Sequence, residues 1–424
     1  MKRRNPIKVH EAIEQVMMFA IKGEREEVSI HNALGRFLAT DLRADHDVPS
    51  FNRSPYDGFA VFAEDTKSAS STSPITLKVV GEIGAGSVFE GNVERGQAVR
   101  IMTGAQIPSG CDAVVMLELA RSYQVDNQNW VDINRSYKKG DNISFKGEET
   151  KKGSILVPKG TPINPGIIAL LATFGYSKIP VGKRPKIGVI ATGSELLTID
   201  EPLQPGKIRN SNTYMALAQI ERAGGEGIYF GQFEDNVETC YKKVKDALKE
   251  VDLLITTGGV SVGDYDYLPD IYKKIKAKVL FNKIGMRPGS VTTVAEKDGK
   301  LLFGLSGNPS ACYVGFELLA RPIIRTYIGN PNPYLKKVKG YLGVDFTKPN
   351  PFTRFIRGSI AYEEGKLVAY PSGLDKSSVV SSLAYASVFI ELPGGTRGYE
   401  RGREVAIHLL EDQDGQSKFD LPSK

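Results

Sequence analysis

The stretch from Asp252 to Asp266, DLLITTGGVSVGDYD, decides how the rest of the chain is read. Leu253, Leu254 and Ile255 form too short an apolar run for a helix and read as a buried strand. Gly258 and Gly259 carry no Cβ, so the backbone there turns tightly and approaches a ligand closely. Amide groups exposed in such a turn, continued by Ser261 and Gly263, suit an anion such as phosphate. Asp264 and Asp266 follow, and carboxylates beside a phosphate repel it unless Mg²⁺ lies between them. The same residues also read as a strand, a glycine turn and a solvated acidic loop, because short glycine motifs recur by chance.

Working outward, 424 residues call for several domains, since single cores rarely grow past about 250 to 300 residues. Apolar and charged fractions of 41% and 25% are those of an ordinary soluble protein. No apolar run is long enough to span a membrane, and the basic opening MKRRNPIKVHEAIEQ lacks the apolar core of a signal peptide, so a cytoplasmic setting is expected. Cys111, Cys240 and Cys312 are odd in number and far apart, which argues against a disulfide framework or a zinc site. A net charge of +6 spread along the chain does not signal nucleic-acid binding, though it leaves room for a basic pocket.

Val9, Ile13, Val16, Met17 and Ala20 fall at helical spacing and predict an opening amphipathic helix. In NRSPYDGFAVF, Pro55 and Gly58 bracket Asp57 in a turn before a strand. From Ile75 to Asn134 short β-rich runs alternate with glycine turns, predicting a small β domain with Thr103 and Gly104 at a strand end. Asp141, Glu148 and Glu149 lie in a polar loop. Residues 155–179 return to helix, with Thr161 at its start and Ile167, Leu170, Leu171 and Phe174 on its apolar face.

Between Lys186 and Ile328 strands and helices alternate, predicting an α/β domain with a mainly parallel sheet and ligands at the carboxyl ends of its strands. Asn210 or Ser211 caps a helix through Ala223, and Asn236 caps the next. Three strand ends carry glycine corners: Thr192, Gly193, Ser194 and Glu195; the TTGG stretch; and Ser306, Gly307, Asn308 and Pro309, where a helix begins. Beyond Pro331 the chain is β-rich, with Arg354, Arg357, Ser377, Ser378, Ser381 and Ser382 expected mostly at the surface.

Taken together, SPYDGFAV, RIMTGAQIPSGCDAVV, GVIATGSEL, TTGGVSVGDYDYL, LSGNPSACYVGFELLARP and SSLAYASVFIELP resemble the molybdopterin molybdenumtransferase family, MoeA and the gephyrin E domain, over nearly the whole chain. The resemblance implies a helical domain at 1–52 plus 141–182, an inserted β domain at 53–140, a MoaB/MogA-like molybdopterin-binding α/β domain at 183–330, and a C-terminal β-barrel at 331–412 before a polar tail at 413–424. It implies a homodimer, with molybdopterin adenylyltransferase and molybdoenzymes as transient partners. The implied reaction inserts molybdenum from molybdate into adenylylated molybdopterin, releasing AMP with Mg²⁺ taking part. By motif match Asp57, Asp141, Glu195, Asp235 and Asp266 are its functional acids, with Glu195 and Asp266 on the metal. Thr103 matches a functional threonine, while Lys283, Arg287, Arg354 and Ser377 resemble groups around the pterin phosphate and molybdate. Departures from the family pattern are RPGSV, where Ser290 replaces a lysine, Tyr56 in SPYDGFA, and Asn210 before SN. A molybdopterin adenylyltransferase, a relative joined to a nucleotide amidase and a partner-clustering scaffold are the alternatives, and the additional β modules and retained acids speak against them.

Overall fold

The computed structural model describes residues 5–233, 237–259, 268–411 and 415–419. The chain forms two compact units, one of Met1–Thr40, Lys159–Ala169 and Ser177–Lys424, the other of Asp41–Pro158 and Leu170–Tyr176.

In the first unit the opening helix is α1 (Val9–Met17), burying Ala12, Ile13 and Val16 as its spacing requires. The α/β domain runs β1 (Lys186–Thr192), α2 (Ser211–Ala223), β2 (Glu226–Phe233), α3 (Val237–Glu250), β3 (Leu253–Thr257), α4 (Leu268–Lys274), β4 (Lys278–Phe281), β5 (Thr293–Lys297), β6 (Lys300–Leu305) and α5 (Pro309–Gly315). Its sheet has the order β2-β1-β3-β6-β5-β4. β2, β1, β3 and β6 are parallel, and β5 and β4 return antiparallel. The apolar strands divide by period two between the sheet's faces. Ile187, Val189, Ile255, Phe303 and Leu305 join α1, α2 and the helix after β6 in one core. Ile190, Leu254 and Leu302 meet α3 and α4 in another.

Local signals fix the helix ends. The Asn210 side chain accepts the Thr213 N–H at 3.2 Å and caps α2, which Gly224 ends at φ +96°. The helix expected from Thr161 starts at Pro165 instead, because the Asn164 side chain accepts the Ile167 N–H and supplies the cap. The cap assigned to Asn236 lies outside the described residues. After α5 the helix passes through a π-helical stretch, Phe316–Ala320, that holds the buried Glu317 against Arg222 at 2.5 Å and Gln219 at 2.7 Å.

The C-terminal strands β7 (Lys336–Leu342), β8 (Thr353–Glu363), β9 (Lys366–Pro371), β10 (Val388–Leu392) and β11 (Glu404–Leu409) close into a five-stranded barrel, with β8 paired to both β9 and β10. The short strand Met286–Arg287 extends alongside β8, placing Arg287 opposite Arg354. In the barrel wall the buried Glu391 carboxylate lies 2.8 Å from His408 and 3.1 Å from Lys337.

The second unit holds a sheet of Gly58–Val61, Ile75–Ile83, Gln97–Ile101, Ala113–Met116, Ala120–Val125 and Gln128–Ile133. Separate apolar clusters lie about Phe59, Leu77 and Val131 and about Ala60, Val99 and Val114. No helix among the described residues is long and apolar enough to cross a membrane.

Burial works against a charged Glu391, but His408 and Lys337 outweigh it and hold the carboxyl below its ordinary range. Its contribution is therefore present at neutral pH and is lost as pH falls through the carboxylate range. Glu391→Ala removes the partner of the buried His408 and of the half-buried Lys337 and is expected to cost about 3 to 5 kcal/mol in urea denaturation at pH 7, the scale for removing one partner of a buried pair. A difference from wild type that fails to shrink on acidification would refute this account.

Candidate functional site

β1 feeds β2 on one side, and β3 returns on its other side, so the strand order reverses between β1 and β3. A crevice forms outside the carboxyl ends of strands at such a reversal. The three glycine corners all lie at this edge, since they end the adjacent parallel strands β1, β3 and β6. Their backbones are in contact. The Thr192 hydroxyl donates to the Thr257 carbonyl at 3.2 Å, and the Gly258 N–H donates to the Leu305 carbonyl at 2.9 Å. Gly258 has φ +93°, and a Cβ there would stand 2.6 Å from the Thr192 carbonyl oxygen. Gly259 also has a left-handed backbone, at φ +65°, and a Cβ on Gly307 would lie 3.6 Å from the Gly258 Cα.

Several groups hold these corners that sequence reasoning did not single out. Asn212, in the first turn of α2, donates its Nδ2 to the Gly307 carbonyl at 2.8 Å, while its buried Oδ1 has no partner among the described residues. Gln232 donates to the Gly193 carbonyl at 2.8 Å and Lys207 to the Ser194 carbonyl. A polar residue just inside a capped helix was the available signal for Asn212; nothing local marks the other two. Glu195 is exposed, and its carboxylate folds back over Gly193 with Oε1 2.8 Å from where a Cβ would be. That hard oxygen donor has no hydrogen-bond or ion-pair partner within the described residues, which suits a divalent cation. No cluster of three or more His, Cys, Asp or Glu that could hold a metal occurs among the described residues.

The barrel adds charge beside the third corner. The Ser310 N–H of α5 donates to the Ser377 carbonyl at 3.0 Å, and its hydroxyl donates to the Val379 carbonyl at 2.6 Å. Asp375, on the same loop, receives Arg354 at 2.5 Å and Arg357 at 3.2 Å, with the Lys348 ammonium 3.8 Å away. Arg354, Arg357 and Ser382 are buried rather than at the surface as expected, whereas Ser378 and Ser381 are exposed. Burial, with Arg354 beside it, lowers the Arg357 pKa despite Asp375. Lys283 is half-buried, Arg287 is exposed, and Ser306 and Asn308 sit at the open start of α5, where the Asn308 N–H meets the Ser306 hydroxyl at 3.2 Å.

The second unit carries the remaining described acids. One Asp57 oxygen accepts both the Thr103 N–H, at 2.7 Å, and the Thr103 hydroxyl, at 2.9 Å. These two bonds, the backbone one foremost, hold the Asp57 carboxyl below its ordinary value. Asp141 closes its own turn, accepting the Lys138 N–H at 2.8 Å. Asp57 and Asp141 flank the strand Ala113–Met116: the Val114 N–H donates to the Asp141 carbonyl, and the Leu117 N–H, just past the strand, donates to the Asp57 carbonyl. Asp235, Ser261, Gly263 and Asp266 lie outside the described residues.

A glycine-cornered crevice at the reversal point of a mainly parallel sheet, joined to a closed β-barrel, defines a multidomain α/β ligand-binding protein. Family profiles described as the MoeA N-terminal region (domain I and II), a probable molybdopterin binding domain and the MoeA C-terminal region (domain IV) match residues 7–175, 188–326 and 339–410. The chain is 55% identical over 415 residues to a molybdopterin molybdenumtransferase of Bacillus subtilis, covering 98% of this chain and 96% of that one. It is 49% identical over 420 residues to one of Staphylococcus epidermidis, covering 99% of each. A crystal structure of a molybdopterin biosynthesis MoeA protein from Pyrococcus horikosii superposes with TM-score 0.83 at 32% identity, covering 96% of this chain and 99% of that one. The chain therefore belongs to the molybdopterin molybdenumtransferase family, and is an enzyme of molybdenum cofactor biosynthesis.

Two outcomes follow from this geometry. Gly258→Ala meets both a disfavoured φ and the Thr192 backbone, and is expected to cost about 1 to 3 kcal/mol in chemical denaturation. Thr103→Val removes one of two donors to Asp57, so the Asp57 midpoint, read by carboxyl carbon NMR, is expected to rise while staying below the ordinary value; an unmoved midpoint would show that the hydroxyl has no effect.

Proposed function

We propose that this enzyme inserts molybdenum from molybdate into adenylylated molybdopterin, with release of AMP. The observation that carries the reading is the meeting of three glycine corners, Thr192–Gly193, Gly258–Gly259 and Ser306–Gly307, at one end of adjacent parallel strands. Backbone amides in such corners suit the phosphates of an anhydride-linked substrate, and the absence of side chains lets them approach closely. The neighbouring barrel loop supports the molybdate half. Arg354, Arg357 and Lys348 gather on one carboxylate and so leave an excess of positive charge that suits a dianion. Lys283, Arg287 and Ser377 complete the basic and hydroxyl set assigned to the pterin phosphate and molybdate.

Glu195, together with Asp266, would hold Mg²⁺, which when bound neutralises charge on the phosphoanhydride. Thr192, Gly193, Ser194, Gly258, Gly259, Ser261, Gly263, Ser306, Gly307, Asn308 and Pro309 would bind and orient the substrate. Asp57, Asp141 and Asp235 complete the functional acids, and Thr103 fixes Asp57 in its ionised form. The reading includes a homodimer with molybdopterin adenylyltransferase and molybdoenzymes as transient partners, working in the cytoplasm.

Incubation with adenylylated molybdopterin, molybdate and Mg²⁺ is expected to release AMP, followed by chromatography. Glu195→Ala, whose side chain has no structural partner among the described residues, is expected to slow that release on the order of a hundredfold, the scale for losing one charge-stabilising group. No AMP from the wild-type protein would overturn the assignment.

A further inference from the structure

The loop between β9 and β10 carries one carboxylate, that of Asp375, into the most basic corner of the barrel, and the reaction proposed above gives it no task. Its two oxygens are divided between two arginines. Arg354 Nη1 donates to Oδ2 at 2.5 Å, and Arg357 Nη1 donates to Oδ1 at 3.2 Å. Both arginines stand on β8 and are buried. Other nitrogens of the same side chains are engaged elsewhere: Arg354 Nε donates to the Asn350 side chain at 3.2 Å, and Arg357 Nη2 donates to the Leu374 and Lys376 carbonyls at 3.1 and 3.3 Å. The two Nη1 donors thus converge on one place, and a carboxylate fills it.

That carboxylate is not what holds the loop. Arg357 holds the Leu374 and Lys376 carbonyls, Lys348 holds the Asp375 carbonyl at 2.9 Å, and Ser310 holds the Ser377 and Val379 carbonyls. Rotation about the Asp375 side-chain bonds alone uncovers both Nη1 groups and leaves this frame standing. Leu374 and Lys376, on either side, are exposed, so the turned carboxylate has water to enter. Charge favours the exchange. One carboxylate balances only one of the two buried guanidiniums, and the Lys348 ammonium adds to the surplus, whereas a dianion balances both.

We propose that Asp375 is an internal stand-in for the oxyanion: its carboxylate occupies the corner between Arg354 and Arg357, and a tetrahedral dianion displaces it on binding. The proposal rests on the assignment of this basic loop to molybdate, and adds to it a residue that sets how tightly the anion is held. A carboxylate that holds the corner about nine-tenths of the time lowers the apparent affinity for the dianion about tenfold.

A structural ion pair and a stand-in respond differently when the carboxylate is neutralised. Asp375→Asn keeps the shape of the side chain and removes its charge. In calorimetric titration of the full-length protein with molybdate, this variant is expected to bind about tenfold or more tightly than wild type. Equal or weaker binding by the variant would overturn the proposal. A wild-type crystal soaked in molybdate gives a second test that needs no variant. The anomalous signal of molybdenum is expected between Arg354 and Arg357, with the Asp375 carboxylate turned off both. No signal there, or Asp375 still bonded to both arginines beside the anion, is the contrary result. Neither measurement involves turnover or a pterin. Absent AMP release with Asp375 displaced by molybdate counts against the reaction alone, and AMP release with Asp375 in place counts against the stand-in alone.

Discussion

The approach of Gly258 to its neighbours is the constraint on which the rest depends. Its N–H is committed to the Leu305 carbonyl, and its Cα stands where any side chain would strike Thr192. Three strand ends are thus drawn within backbone contact. Everything around the crevice supports that approach: Asn212 holds Gly307 from the helix side, Gln232 holds Gly193 from β2, and Lys207 holds Ser194. The corners are rigid because the groups that carry them are already spent on one another.

Charge enters from a different direction. The barrel presents Asp375 with more cations than it can neutralise, and it does so on the loop that hydrogen-bonds the first turn of α5. Buried arginines of this kind are costly unless a counter-ion completes them. The neutral backbone corners and the over-charged loop are therefore complementary, one giving geometry and the other field. The cation neighbours differ in role: Arg354 is also tied to Asn350 at 3.2 Å, whereas Arg287, its register partner, stays exposed.

Much of this was legible in the sequence, and the parts that were not share a cause. β-runs, glycine corners and helix caps recur in order from Lys186 onward, so the alternation and its three corners could be read locally. The chain beyond Pro331 read as β-rich, but nothing local marked its last strand, Glu404–Leu409, which pairs with both β7 and β10 and closes the barrel. Its alternation is short and interrupted by His408, whose burial makes sense only once Glu391 is beside it. Arg354 and Arg357 were placed at the surface for the same reason, since the carboxylate that admits them to the interior lies about twenty residues away in the chain. The start of the helix at Pro165 was misjudged because two prolines and a threonine offered competing signals, and Asn164 settled it by a single bond. Where a contact joins distant residues, local pattern does not carry it.

The opening segment meets its neighbours late. Ile7 forms a bridge with Ile284, and Ala12, Ile13 and Val16 pack into the core that β1, β3 and β6 complete. A ribosome emits those residues first and the sheet that shelters them only after most of the chain has left the tunnel. For that interval an apolar stripe stands bare, so the nascent polypeptide depends on slow, distant closure and on protection from self-association until it happens.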